Sequence, residues 1–209
     1  MKKKEKGVDF FWTSYSDLMT SLFFIMLVLF ILSIFLMRSR IIATERQLDK
    51  IKEIENAVSN IDKKYFEYSS QFKKHILKTR VGFNTGSSDI DDIPLFIKKE
   101  LTDAGKSIVD FINFTNQKYK DSDIRYLLVI EGQASNDQYT YNYELSYKRA
   151  LSLYRFWVAS GIKFDNVHCE VIIAGSGTKG VPREKNELEN QRFLINILPK
   201  PGIVDGQNN

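Results

Sequence analysis

One stretch constrains everything else this chain can fold into. From Leu18 to Met37, twenty residues run without a charge, and only Thr20, Ser21 and Ser33 interrupt them with polar groups. A helix of that length covers the roughly 30 Å hydrocarbon core of a bilayer. No other segment approaches it. The averages, 43% hydrophobic and 27% charged with a net charge of +4, hide this segregation. A purely soluble protein and a multi-span transporter are both excluded, and the rest of the chain suffices for one domain of ordinary size. One cysteine, Cys169, makes no internal disulfide, and two histidines, His75 and His168, build no Cys/His zinc cluster.

The basic start, Lys2, Lys3, Lys4 and Lys6, followed by an apolar run could mark a secretory signal. The run is longer than a signal core, it ends in Arg38-Ser39-Arg40, and no small-x-small cleavage site follows. An uncleaved anchor is the better reading. Basic residues flank both ends, so the positive-inside rule votes weakly. Long downstream domains translocate largely regardless of charge, which favours an N-terminus inside the cell and a polar part beyond the membrane.

Phe10-Phe11-Trp12 and Tyr15 form an interfacial aromatic belt. With Trp12 at the interface, Asp17 lies about 7–8 Å deeper at ~1.5 Å per residue. An ionisable group there costs on the order of 2.5–3.5 kcal/mol to insert, so it is a functional candidate by default. Thr13, Asp17, Thr20, Ser21 and Phe24 share one helical face. Such a face suits a helix that lines a path against a partner. The alternative is an N-cap or interfacial residue at the membrane edge. On the functional reading, a desolvated carboxylate takes up and releases a cation, and partner helices complete the path.

Phe11-Trp12-Thr13-Ser14-Tyr15-Ser16-Asp17-Leu18-Met19-Thr20 resembles the signature that opens the single span of MotB-type stator subunits. The resemblance implies that Asp17 carries a translocated ion, with Tyr15, Thr20 and Ser21 lining its path. It also implies a homodimer of this chain inside a pentameric ring of A-type membrane subunits. Residues 41–78 contain no proline or glycine, and Ile54, Val58, Ile61, Tyr65, Tyr68 and Phe72 recur at 4-3-4-3-4. That spacing predicts a coiled-coil-like helical stalk over 38–78, paired in a dimer; a single amphipathic helix lying on its own domain is the alternative. In stator relatives this stretch also acts as a plug, a role open to Ile41, Ile42 and Leu48.

The pattern then predicts a globular part over 79–199. A short strand at Val81-Gly82-Phe83 precedes a turn-rich loop, Asn84 to Ser88. A helix follows from Leu95 to about Gln117, a buried strand over Ile124–Ile130, and a helix over Tyr141–Ser160 stopped by Gly161. Two more strands fit Val167–Ala174 and Arg192–Leu198, and the tail 200–209 is polar. Strands separated by helices imply an α/β sandwich of about four strands with helices packed on the sheet.

This part resembles the OmpA-like peptidoglycan-binding domain. Phe83-x-x-Gly86-Ser87 is similar to its opening loop, and Asn142-x-x-Leu145-Ser146-x-x-Arg149-Ala150 matches its helix motif at every defined position. Gly175-x-Gly177 and Asn190-Gln191-Arg192 complete the match. The resemblance implies that Arg149, with Asn142, Ser135 and Arg192 nearby, binds peptidoglycan through the charged ends of a diaminopimelate. An arginine fork suits that target. Arg149 and Arg192 also have structural readings, as a helix-face ion pair and a sheet-edge residue. The family writes Gly-His-x-Asp after the second strand, where this chain has Gly132-Gln133-Ala134-Ser135. Asp137 or Glu131 is the candidate substitute for the missing aspartate.

No Ser/His/Asp set, phosphate loop or metal cluster stands out, so no enzymatic activity, cofactor or metal is expected. The charge is spread along the chain, which argues against direct nucleic-acid binding. The expectation is a single-pass bacterial inner-membrane protein: residues 1–9 in the cytoplasm, a span over 10–37, and a periplasmic domain. Motility stators and the B subunits of Zorya anti-phage systems both fit this description. The short first segment and compact length favour the defence type, and the alternative from another class is a passive tether between membrane and wall.

Overall fold

Helix α1 runs without a break from Lys6 to Ser59. The computed structural model describes residues 6–84, 86–91, 93–120, 124–165 and 167–200, with the side chains of 6–11 and 47 outside that description. The first residues of the expected cytoplasmic segment, Thr85 of the opening loop and the tail beyond Lys200 therefore lie outside the described residues. The chain divides into two compact units, Met1–Lys50 and Ile51–Asn209.

In the first unit α1 is one helix long and apolar enough to cross a membrane. Every residue from Leu18 to Met37 is exposed. A helix that is apolar all round and covered by nothing described needs lipid or other chains to bury it.

The second unit begins with the last turns of α1. Ile54, Val58 and the following Ile61 are buried in the unit's own core, at 0%, 5% and 4% exposure. The predicted stalk is corrected here. The helix stops at Ser59; of the residues read as a dimer seam, Ile54 and Val58 are the face it lays on its own domain, and Ile61, Tyr65, Tyr68 and Phe72 lie beyond its end. Glu53 fixes this end by accepting hydrogen bonds from the Tyr119 hydroxyl (2.6 Å) and the Lys118 ammonium (2.9 Å).

Two strands follow where more helix was expected. β1 (Phe66–Ser69) and β2 (Lys74–Leu77) form an antiparallel hairpin, pairing Phe66 with Leu77 and Ser69 with Lys74. The turn uses Lys73 at φ 51° instead of a glycine. The predicted strand at Val81–Phe83 does not form, although Val81 is buried. Helix α2 (Leu95–Lys118), β3 (Arg125–Gly132), α3 (Asn142–Ala159), β4 (Cys169–Gly175) and β5 (Phe193–Lys200) fall within a few residues of expectation. Lys200, placed in the tail by sequence, belongs to β5 and pairs with Arg125.

The sheet thus has five strands, in the order β1-β2-β5-β3-β4, and not about four. β3 and β4 are parallel and joined by α3; the other pairings are antiparallel. A parallel neighbour demands a crossover, which is why a helix separates those two strands in sequence. Tyr126, Leu128 and Ile130 of β3 and Ile195 and Ile197 of β5 alternate onto the helical side. There they meet Leu101, Ala104, Ile108 and Ile112, which recur at helical spacing on α2. The Trp157 indole N–H, fully buried on α3, donates to the Leu101 carbonyl at 2.7 Å and ties α3 to α2.

Two glycines set how close α3 comes to the sheet. A Cβ on Gly132 would lie 2.0 Å from the Ser146 carbonyl oxygen, and one on Gly175 would lie 2.5 Å from the Tyr147 nitrogen. Only a residue without a side chain lets helix backbone rest on strand backbone there.

Candidate functional site

Asp17 stands eleven residues inside α1, so it is no N-cap. It is exposed, and it has no hydrogen bond or ion pair among the described residues. Thr20 and Ser21, one turn on, return their hydroxyls to their own helix, donating to the carbonyls of Ser16 (2.7 Å) and Leu18 (2.8 Å). Each donor is thereby satisfied within the helix, as a hydroxyl on an apolar helix requires, and each oxygen keeps a lone pair. Tyr15 does not line this face within one chain. Two positions before Asp17, it projects from nearly the opposite side. Its ring packs edge-on against Trp12, with centroids 6.3 Å apart.

The second candidate site lies where β3 ends and α3 begins. Close approach at Gly132 brings Ser146 onto the sheet, and Arg149, one turn further, is buried to 4% exposure. Its guanidinium lies 4.6 Å over the Phe83 ring, and its Nε donates to the Ser87 carbonyl at 3.0 Å. Burial pushes the Arg149 guanidinium below its ordinary value, and the charge of Asp137 works the other way. Neither terminal amino group has a partner among the described residues. A buried cation with four of its five N–H donors unspent among the described residues is a receptor for an anion, best a carboxylate. The helix-face ion pair considered for Arg149 is absent among the described residues.

Asp137 sits beside this cation without a direct ion pair among the described residues. One oxygen accepts from Asn142 Nδ2 (2.8 Å) and the Tyr139 N–H (3.0 Å), the other from the Ser135 hydroxyl (2.8 Å). These donors, Asn142 first, hold its carboxyl below the usual range. Ser135 in turn accepts from Gln191 Nε2 at 3.1 Å. The sequence-proposed residues Ser135, Asp137, Asn142 and Arg149 are therefore brought together.

Glu131 and Arg192 are occupied elsewhere. Glu131 receives the Lys74 ammonium at 2.6 Å, so the β2–β3 ion pair removes it as a substitute for the loop aspartate. Arg192 donates Nε to Gln133 (3.1 Å), Nη1 to Glu184 (3.1 Å) and Nη2 to the Pro182 carbonyl (3.0 Å). Its fork is committed to the chain itself, although the strand it precedes, β5, lies between β2 and β3 and not at the sheet edge expected for it. Gln133, at the histidine position of the motif, is 1% exposed and donates to the carbonyls of Gly180 and Pro182. Phe83 and the Ser87 carbonyl went unassigned by sequence. Their loop was visible in the motif, but a backbone acceptor and a ring 66 positions before its arginine leave no periodic signal.

No family model matches this chain, and no curated protein does. Solved structures with similar folds do exist. A MotB-like protein from Desulfovibrio vulgaris matches 77% of this chain and 95% of its own, at 13% identity and a TM-score of 0.41. The periplasmic domain of Helicobacter pylori MotB matches 69% and 86%, at 16% and 0.39. The peptidoglycan-associated lipoprotein of Burkholderia pseudomallei matches 57% and 88%, at 14% and 0.36. At such identities and scores the functional reading rests on this chain's own residues.

Proposed function

We propose that this chain is the B-type subunit of an ion-driven rotary motor in a bacterial inner membrane. Asp17 carries the ion, a proton, and the C-terminal domain anchors the subunit to peptidoglycan. The observation that carries the first half is an unpaired carboxylate inside an unbroken helix whose apolar surface nothing described covers. One acid on one helix makes no conduction path, so the proposal includes a second copy and a ring of A-type subunits. The unspent Arg149 fork supports the anchoring half. Its setting is taken as anti-phage defence of the Zorya type, on sequence resemblance, with a motility stator as the alternative; an adjacent A-type gene beside nuclease or flagellar genes distinguishes them.

Asp17→Asn is the direct test. Co-expressed with its A-type partner, the variant should assemble, remain attached to cell wall, and lose ion flux and the phenotype. A passive tether would tolerate the change, so function retained in the Asp17→Asn variant overturns the motor reading and leaves the wall anchor.

A further inference from the structure

Of four exposed tyrosines on α3 and the loop before it, three line surface clefts. Tyr139, Tyr141 and Tyr147 are 39%, 60% and 44% exposed, and the first two meet edge to face at 6.0 Å. Such rings usually seek burial, and a cluster of them left in solvent marks a contact surface. They line two adjoining clefts that share Glu144 and Lys148. One, of about 400 Å³, holds Tyr139 and Tyr141 beside Gly86. The other, of about 590 Å³, holds Tyr147 and Arg155.

Glu144 and Lys148 are four apart on α3, the spacing that ordinarily forms an ion pair. Here neither makes an ion pair or hydrogen bond among the described residues. The trough thus combines flat apolar rings with a free acceptor and a free donor in its middle. That combination suits a sugar, whose ring presents C–H groups on one face and hydroxyls at its rim. Arg155 adds a further donor in the larger cleft.

We propose that this trough is a saccharide subsite, taking consecutive rings of a β-linked N-acetylated amino-sugar strand. Tyr141 and Tyr147 stack on the rings; Lys148 donates to, and Glu144 accepts from, hydroxyl and acetamido groups. The inference rests on the wall-binding reading, and it extends that reading from the peptide held by Arg149 to the glycan beside it.

The test uses the full chain in detergent micelles and the β-1,4-linked tetramer of N-acetylglucosamine, a probe with no peptide, followed by calorimetric titration. Tyr141→Ala with Tyr147→Ala should weaken tetramer binding by about tenfold or more, while Tyr141→Phe keeps it within about twofold. Should the double variant unfold, Tyr141→Ala alone gives the same reading at the most exposed ring. In a second titration with isolated stem peptide, the tyrosine variants bind as the parent does and Arg149→Ala does not. A parent chain that binds stem peptide but no tetramer up to about 10 mM overturns the saccharide subsite and leaves the wall anchor standing. Tetramer affinity unchanged in the alanine variants also overturns it. A parent that binds neither probe overturns both readings.

Discussion

Arg149 concentrates the chemistry of the domain in one side chain. Its planar fork is held by a ring below and a carbonyl at Nε, so two parallel donors are presented without a rotamer to freeze. Arg149→Lys keeps the charge and loses the fork. Pelleting with purified sacculi should show binding reduced by about tenfold or more, with little change in melting temperature. Asp137→Asn should cost less, since that group acts on Arg149 through space and orders the loop through Asn142. This part of the site was legible because the helix motif puts Asn142 and Arg149 two turns apart on one side. The ring and carbonyl that aim Arg149 were not, because tertiary folding alone brings residues 83 and 87 to it.

His75 is the residue whose titration should be visible in stability. Burial pushes it below its ordinary value of 6.5, against the hydrogen bond between its Nε2 and the Val58 carbonyl. The unfolded chain therefore takes the proton first. Its contribution to stability is complete above about pH 6.5, declines as pH falls, and levels off once the folded ring also protonates. Urea midpoints between pH 7.5 and 5 should trace that decline, and His75→Phe should flatten it.

At the scale of elements, two glycine contacts and one misread helix are informative. Gly132→Ala would force α3 away from β3 and should destabilise by about 1–3 kcal/mol or more, read from the denaturation midpoint. The long helices and the strands β3, β4 and β5 were legible because their apolar patterns span several repeats. The hairpin β1–β2 was not. Its strands have four residues each, and its turn lacks glycine and proline. Its aromatic residues continued the 4-3 spacing of the helix before it. That spacing is the same for a dimer seam and for a face lying on its own sheet, so periodicity alone could not separate them. Val58→Cys separates them: the thiol should form no cross-link between copies and should react with a maleimide only in denaturant.

At the scale of the whole molecule, the boundary of the domain moves. The sequence placed it at residue 79, whereas the core recruits Ile54 and Val58 from the end of α1, Ile61 just beyond it, and Phe66 and Leu77 from the hairpin. A fragment beginning at residue 51 should unfold cooperatively. One beginning at 79 forfeits five buried apolar side chains, each costing about 2–5 kcal/mol, and should fail to fold. Circular dichroism of the two fragments checks this.

Gln133 fastens the chain at Gly180 and Pro182 and receives Arg192, so one buried amide joins stretches from three regions of the sequence. A chimera that imports residues 132–142 from a relative without its counterpart of 176–192 would bring a clasp with nothing to close on. For anyone recombining such proteins, the two segments form a single heritable module, however far apart they lie in the gene.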